Sequence, residues 1–350
     1  MHKTGLVYHE DYLLHDAGAG HLERPERLSE TIDYFRRKGI LKKVLMLSPK
    51  PCTEEDILRA HTREHLEHIK NLSASGGGYI DPDTYCSPAA YEAARLAAGG
   101  CITAAKAVMD KEVDNAFALI RPPGHHAARN KAGGFCYFNN AAITARYLQK
   151  VCGLERIFIY DWDAHAGNGT MDIFYDDPSV LNISVHQDPR SFYPGTGCME
   201  QMGHSRGLGF TVNIPVPAGT QDADYVKLLK EFVIPAMNAY KPDFVIVAAG
   251  QDSHEEDKIS GLSLTEKGYG EMTRLLVAEA SVVCGGRVVV ELEGGYSLPS
   301  FASSNYAILS SLTGISKESV LEGEVMESTD VLLSALHENF LPGSFAHKAP

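Results

Sequence analysis

The sequence lacks the features that mark membrane and secreted proteins. None of its apolar runs reaches the roughly 18–20 residues that a helix needs to cross a bilayer. The N-terminus, MHKTGLVYHEDY, has no apolar segment of the kind found in secretory signal peptides. We therefore expect a cytoplasmic protein that makes no contact with a membrane.

Cysteine and positive charge are also scarce. The seven cysteines are scattered and never spaced as CxxC, which argues against a disulfide framework and a structural zinc knuckle. Lys and Arg number 32 against 45 Asp and Glu, and the net charge of −13 argues against the basic surface that proteins use to hold nucleic acid. The acidic excess would attract a cationic ligand, such as a lysine-rich tail or a polyamine, or it only keeps the protein soluble.

Short apolar runs rich in β-branched residues alternate with longer helical patterns. Continuous apolarity predicts strands buried on both faces, and the alternation predicts an α/β fold around a mostly parallel sheet. No repeat or linker interrupts it, so we predict a single domain over residues 1–350, with a core at about 5–315 and a helical tail at 316–350. The predicted strands are Gly5–Tyr8, Ala116–Ile120, Arg156–Tyr160, Val180–Val185, Val212–Val216, Phe244–Ala248 and Arg287–Leu292. The predicted helices are Pro25–Lys38, Tyr91–Met109, Asn139–Lys150, Asp222–Tyr240, Thr265–Val283 and Thr329–His337.

Segments that contain polar and titratable residues follow four of the predicted strands. Ligands of open parallel sheets bind at the carboxyl ends of the strands, so we expect these segments to meet in one site. They are Arg121–Gly134, Asp161–Gly169, Gln251–Asp257 and Glu293–Tyr296.

The segment IYDWDAHAGNG has the pattern of a metal site. Asp161, Asp163 and His165 alternate along an extended backbone and therefore project to the same side. Asp163 and His165 form the natural ligand pair, because carboxylate and imidazole suit zinc or ferrous iron. A third ligand from elsewhere would leave one position open for water. Asp252, at the end of an apolar strand, is the candidate, and the alternative is that it caps the next helix or turn.

Two histidines and three aromatic residues complete the candidate site. His125 and His126 follow a Pro-Pro-Gly turn, and imidazole is the natural base for activating water at neutral pH. Two glycines before Tyr296 allow a tight turn that presents its phenol to a developing oxyanion. Phe135 and Tyr193 would form the apolar walls of an entrance. Taken singly, these residues equally fit an exposed loop or a packed core.

Together these motifs resemble the histone deacetylase superfamily, which includes class II deacetylases, deacetylase-like amidohydrolases and acetylpolyamine amidohydrolases. The similarity runs from Arg24 to Tyr296, with the motifs in the family's order. They are RPPGHH, GGFCYFNN, DWDAHAGNGT, FYPGTG, AGQD and LEGGY. The resemblance implies the arginase/deacetylase α/β fold with a central, mostly parallel sheet of about eight strands. It also implies a zinc-dependent amidohydrolase that removes acetyl groups from acetyl-lysine or related acetylated amines.

The resemblance implies catalytic roles as well. One zinc ion, or ferrous iron, would bind Asp163, His165 and Asp252. Tyr296 and the metal would polarise the acetyl carbonyl, and His126 would act as general base and then general acid.

Other residues would support these groups. Asp161 would orient His125, an electrostatic partner, and Asn168 would orient His126. The Gly134 carbonyl would accept the substrate amide between Phe135 and Tyr193, while Arg27 matches a residue near an internal cavity that handles acetate. A structural potassium ion would bind Asp161, Asp163, His165, Ser184 and Val185.

Several positions depart from the family's pattern. Ala166 replaces a histidine that is not a ligand. Asn168 replaces the aspartate of many members and should make His126 less basic. Gln251 replaces an aromatic or small residue and would narrow or polarise the pocket, so the sequence does not identify the preferred substrate. Ile259 stands where a polyamine-selective relative carries a glutamate, which favours acyl-lysine.

The alternatives differ in substrate or in class. An acetylpolyamine amidohydrolase would use an oligomer contact or a loop to narrow its entrance. An acidic rim at Asp81, Asp83 and residues 255–257 would suit a protein tail or polyamine nitrogens, unless these charges are only solvated. An acetoin-utilisation-type member and a non-catalytic module that binds acetylated ligands are further alternatives. An arginase-like dimanganese enzyme is disfavoured because Gly167 stands where a second metal needs a carboxylate. We favour a working enzyme, because every proposed catalytic group is present.

Overall fold

The computed structural model describes residues 2–316, 321 and 323–340. Ten strands are described in chain order: β1 (Thr4–Val7), β2 (Val44–Leu47), β3 (Gly78–Tyr79), β4 (Tyr85–Cys86), β5 (Asn115–Ala118), β6 (Ile157–Asp161), β7 (Val180–Gln187), β8 (Thr211–Val216), β9 (Phe244–Ala249) and β10 (Val288–Leu292). Eight of them form one parallel sheet in the order β2-β1-β5-β10-β9-β6-β7-β8, and β3 and β4 form a small antiparallel pair. The structure thus confirms the predicted fold class and the eight-stranded parallel sheet.

The helices cover both faces of the sheet. They are α1 (Glu26–Lys38), α2 (Glu54–Leu58), α3 (Arg63–Ala74), α4 (Ala90–Met109), α5 (Asn140–Lys150), α6 (Asn168–Phe174), α7 (Asp222–Leu228), α8 (Ile234–Tyr240), α9 (Glu266–Val283), α10 (Leu298–Leu312) and α11 (Glu327–Asn339). Helix α4 packs against β1, β5 and β10 beside α5, and α10 packs between α1 and α9. None of the described helices is long and apolar enough to cross a membrane.

All seven predicted strands and all six predicted helices are present, with shifted ends. Asp222–Tyr240 is helical throughout, but a π-helical turn at Leu229–Val233 separates α7 from α8. Helix α11 contains the predicted tail helix, and the end of the tail at 341–350 lies outside the described residues. The sequence patterns did not predict β2, an edge strand that stays half exposed, the short pair β3 and β4, or the helices α2, α3, α6 and α10, of which α10 directly follows the Tyr296 turn.

Strand order brings the four polar segments together. The chain crosses from β5 to β6, and the later strands β9 and β10 then fill the gap between them. The carboxyl ends of β5, β10, β9 and β6 are therefore immediate neighbours in the middle of the sheet. This is the edge at which parallel sheets bind ligands.

Candidate active site

The three predicted metal ligands meet at the ends of β6 and β9. The ligand atoms of Asp163, His165 and Asp252 all lie within 4.8 Å of one another, and all three residues are buried. Nδ1 of His165 lies 3.1 Å from Oδ1 of Asp163 and 3.0 Å from Oδ2 of Asp252. Among the described residues, no other group of three His, Cys, Asp or Glu side chains is arranged in this way.

Backbone groups hold the two carboxylates in place. The Gly294 N–H donates to Oδ2 of Asp163 at 2.9 Å, and the Ala164 N–H donates to Oδ1 of Asp252 at 2.8 Å. Glycine is required beside them: a Cβ at Gly250 would lie 1.9 Å from Oδ2 of Asp163. The turns at Gly250 and Gly294 therefore approach the carboxylates more closely than any residue with a side chain would allow.

The charges of this triad suit a cation. Burial and the nearby charge of Asp163 raise the pKa of Asp252 to about 6. Burial lowers the pKa of His165, but the carboxylates of Asp163 and Asp252 outweigh it and raise that pKa to about 9. Two buried carboxylates this close repel each other, and a bound cation would remove that cost. Two carboxylates and an imidazole are a ligand set that fits zinc or ferrous iron.

Both histidines of the RPPGHH motif face the triad, each with its own partner. Nδ1 of His125 lies 2.9 Å from Oδ2 of Asp161, and Nδ1 of His126 lies 2.6 Å from Oδ1 of Asn168. The ring centres of His126 and His165 are 5.8 Å apart.

The two rings differ in protonation. Burial and the neighbouring charges of His125 and His165 hold the pKa of His126 well below its usual range. Burial also lowers the pKa of His125, but the carboxylates of Asp163 and Asp161 outweigh this effect and raise that pKa well above its usual range. A neutral ring thus lies beside a charged one, which suits a base paired with an electrostatic partner.

Tyr296 lies at the turn between β10 and α10. Its backbone N–H donates to Oδ2 of Asp257 at 2.5 Å, and its ring packs edge-on against Phe135 with centroids 5.8 Å apart. The guanidinium of Arg27 lies 5.0 Å from the centre of the Tyr296 ring. Asp257, which the sequence suggested as part of an acidic rim, is buried, and it holds the tyrosine turn instead.

The predicted entrance residues surround the histidines. The ring of Tyr193 is 5.0 Å from that of His126, and Tyr193 is 45% exposed. A Cβ at Gly134 would lie 2.3 Å from Cδ2 of His126, so the glycine backbone passes directly over the ring. Asp81 belongs to this rim, because a Cβ at Gly133 would lie 3.1 Å from its Oδ2.

Two residues of the site were given no role from the sequence. Phe192 stacks on the His165 ring with centroids 4.5 Å apart and an interplanar angle of 15°. Glu293 accepts hydrogen bonds from the backbone of the dihistidine turn. Two features of the sequence could have pointed to them. Phe192 is an aromatic residue next to Tyr193, and Glu293 is a glutamate at the end of an apolar strand.

The residues predicted to bind potassium lie on or just after the neighbouring strands β6 and β7. Asp161 and Ser184 are directly paired between β6 and β7. Ser184 Oγ lies 2.7 Å from Nδ1 of His186, and the Val185 carbonyl accepts a hydrogen bond from the Tyr225 hydroxyl at 3.3 Å. Potassium binding at this place stays a prediction.

The chain is similar to proteins of one known family. The family model of the histone deacetylase domain matches residues 21–312. A probable deacetylase of Archaeoglobus fulgidus is 46% identical over 324 residues, which cover 92% of this chain and 89% of the relative. The histone deacetylase-like amidohydrolase of Pseudomonas aeruginosa is 39% identical, over 85% of this chain and 78% of the relative.

A eukaryotic relative and a solved structure extend the comparison. Human polyamine deacetylase HDAC10 is 38% identical over 89% of this chain, which spans 48% of that protein. The crystal structure of the HDA15 HD domain matches with a TM-score of 0.90 and 34% identity, covering 99% of this chain and 97% of that domain. These matches support hydrolytic, amide-cleaving activity, and this chain belongs to the histone deacetylase family.

Proposed function

We propose that this chain is a zinc-dependent deacetylase that hydrolyses the acetyl amide of acetyl-lysine. The observation that carries the proposal is the meeting of the buried Asp163–His165–Asp252 triad with a neutral His126 at the ends of adjacent strands. The chemistry that zinc supplies in such sites is the polarisation of a carbonyl and the activation of water.

The protein groups would divide the proton transfers. His126 would take a proton from the attacking water and then give it to the leaving amine, while Asn168 holds its Nδ1 side. Asp161 would keep His125 charged, so that His125 stabilises the negative charge that develops on the oxygens of the reacting centre. The Tyr296 phenol would donate to the carbonyl oxygen as it becomes an oxyanion.

The remaining predicted residues would bind the substrate chain and support the fold. Phe135 and Tyr193 would flank the acyl-lysine side chain, and the Gly134 carbonyl would accept its amide N–H. A potassium ion at Asp161, Asp163, His165, Ser184 and Val185 would stabilise the loop that carries the zinc ligands.

Acetylated polyamines are the second candidate substrates. Asp81 at the entrance would suit a distal ammonium group. Against this, Ile259 stands where a polyamine-selective relative carries a glutamate, and its half-buried side chain offers no charge to such a group.

The test is a side-by-side hydrolysis assay with zinc-loaded protein. It compares an acetyl-lysine peptide with acetylputrescine and acetylspermidine, and His126→Ala provides the blank. We expect a strong preference for the peptide, and the loss of His126 should lower turnover roughly 10²–10⁴-fold while zinc stays bound. A preference for the acetylpolyamines would assign the protein to the polyamine branch. Turnover that is the same with and without His126 would contradict the proposed mechanism.

A further inference from the structure

Glu293 makes a contact that the mechanism above does not use. It is fully buried at the end of β10. Its Oε2 accepts hydrogen bonds from the backbone N–H groups of Gly124 and His125, at 2.7 Å and 3.1 Å. One carboxylate oxygen therefore accepts from two successive backbone N–H groups of the turn that presents the two histidines.

The backbone of Glu293 joins further parts of the site. Its N–H donates to the Ala249 carbonyl at 2.9 Å, at the end of β9, and its carbonyl accepts from Nη2 of Arg27 at 2.5 Å. Arg27 Nε also donates to the Gly295 carbonyl at 2.7 Å. Glu293 thus ties the dihistidine turn to the strand ends that carry Asp252 and Tyr296.

We propose that Glu293 is a positioning residue that holds the Gly124–His126 turn so that His126 faces the reacting water. This inference rests on the proposed deacetylase function. Without the Glu293 oxygen, two buried backbone donors would have no partner, and the turn would shift to satisfy them. A displacement of about 1 Å at a proton-transfer group costs on the order of 10²-fold in rate.

The acceptor oxygen, rather than the negative charge, performs this role. Burial raises the pKa of Glu293 to about 7, and a carboxyl group keeps a carbonyl oxygen as acceptor in either protonation state. Within the described part of the chain, the other oxygen, Oε1, has no hydrogen-bond partner. A glutamine whose amide oxygen replaces Oε2 would therefore still accept both N–H groups.

Glu291 offers a matched control. It lies two residues earlier on the same face of β10, is fully buried, and likewise leaves its Oε1 without a hydrogen-bond partner among the residues that the structure describes. Its Oε2 accepts from the Cys101 thiol at 3.0 Å, on α4, instead of from the dihistidine turn. Replacing Glu291 perturbs a buried carboxyl of the same strand but leaves the turn untouched.

The kinetic test compares E293A, E293D, E293Q and E291A with the wild type on an acetyl-lysine peptide. We expect E293A and the shorter E293D to lower kcat about 10²-fold, with KM changed less than about threefold. E293Q should recover activity to within about fivefold of the wild type, and E291A should keep the wild-type kcat even if it lowers the melting temperature. An E293Q variant as slow as E293A, or an equal loss in E291A, would overturn the proposal.

A second measurement does not depend on turnover. Hydrogen–deuterium exchange of the peptide covering residues 121–128 reports on the amides of Gly124 and His125. Exchange should become faster in E293A or E293D but not in E293Q or E291A, and unchanged protection in the first two would overturn the positioning role. A wild-type protein that does not hydrolyse acetyl amides would refute the proposed function instead, and the exchange result would still decide the role of Glu293.

Discussion

At the scale of single residues, buried carboxylates take roles that their partners decide. Asp161 supports a charged histidine, Asp163 and Asp252 form a ligand pair, and Asp257 holds two backbone N–H groups of the Tyr296 turn. The residue type is the same in all four cases. The difference lies in whether the facing group is a cation, a second carboxylate or the backbone.

The Tyr296 hydroxyl is expected to act only in the transition state. Tyr296→Phe should therefore lower kcat roughly 10²–10³-fold with little change in KM, as for the loss of one oxyanion donor. Tyr240→Phe is the control, because its buried hydroxyl donates to the Pro178 carbonyl far from the site. Steady-state kinetics measure both variants, and an effect of Tyr296→Phe confined to KM would contradict the oxyanion role.

Asp252 should be needed for metal binding but not for the stability of the metal-free protein. Asp252→Asn removes one ligand charge, so the metal content by elemental analysis should fall well below one ion per chain. The metal-free variant should unfold no more easily than the metal-free wild type, because repulsion from Asp163 is relieved. Asp222→Asn is the control, since this buried carboxylate accepts hydrogen bonds from Thr265 and its replacement should leave the metal content unchanged. Full occupancy in Asp252→Asn would remove Asp252 from the ligand set.

At the scale of elements, the site is built from turns that follow strands rather than from the strands themselves. The metal-ligand candidates, the two histidines and Tyr296 lie two to eight residues after the ends of β5, β6, β9 and β10, while Asp161 is the last residue of β6. Close approach between these turns requires glycine, as at Gly250 and Gly294, where a Cβ would collide with the ligand carboxylates. The rigid sheet sets the distances, and the glycine turns bring the side chains into contact.

Two glycine-to-alanine changes should therefore have opposite effects. In Gly250→Ala the new Cβ would lie 1.9 Å from Oδ2 of Asp163, so metal content and activity should both fall sharply. In Gly270→Ala, inside α9, the nearest atom would be 3.4 Å away, and the better helix propensity of alanine should raise the free energy of unfolding by about 0.5–1 kcal/mol. Denaturant unfolding and elemental analysis measure these outcomes. A fully metal-loaded, active Gly250→Ala would show that the turn relaxes without cost.

At the scale of the whole molecule, a buried ionic network joins distant parts of the chain. Glu23 accepts from Arg121 Nε at 2.5 Å and from Arg27 Nη1 at 3.2 Å. Arg121 also donates to the carbonyls of Tyr12 and His15, at 2.8 Å and 2.5 Å. The N-terminal loops, α1 and the segment after β5 are thus held together by one buried network.

This network should make stability depend on acid pH. Burial raises the pKa of Glu23, but Arg121 and Arg27 outweigh it and hold that pKa at about 2, against 4.5 for an ordinary glutamate. Because the folded-state pKa is depressed, the stabilisation is fully present above pH 4.5 and is lost as the pH falls toward 2. Glu23→Gln should therefore lose about 3 kcal/mol of unfolding free energy at neutral pH. Its free energy of unfolding should also change less than that of the wild type between pH 4.5 and about 2. Exposed Glu30→Gln is the control, and equal acid profiles for Glu23→Gln and the wild type would refute this role.

Much of the architecture follows from local patterns in the sequence. Apolar runs located seven of the eight strands of the main sheet, because a strand buried on both faces must be apolar throughout. The half-exposed edge strand Val44–Leu47 carries no such pattern. The candidate ligands and histidines were identifiable because titratable groups at the ends of apolar strands are costly unless they are used. The extent of the domain, the location in the cytoplasm and the identity of the metal stay predictions.

Tertiary structure decided the contacts that local pattern does not encode. No spacing rule shows that Glu293 reaches the N–H groups of Gly124 and His125, about 170 residues away along the chain. Nor does one show that Asp257 is buried against the Tyr296 turn rather than exposed at the rim. By itself the sequence determined which residues have the chemistry for an amidohydrolase and which strands present them. Their partners depend on strand order, which places β10 and β9 between β5 and β6, because long-range packing rather than local propensity selects that order.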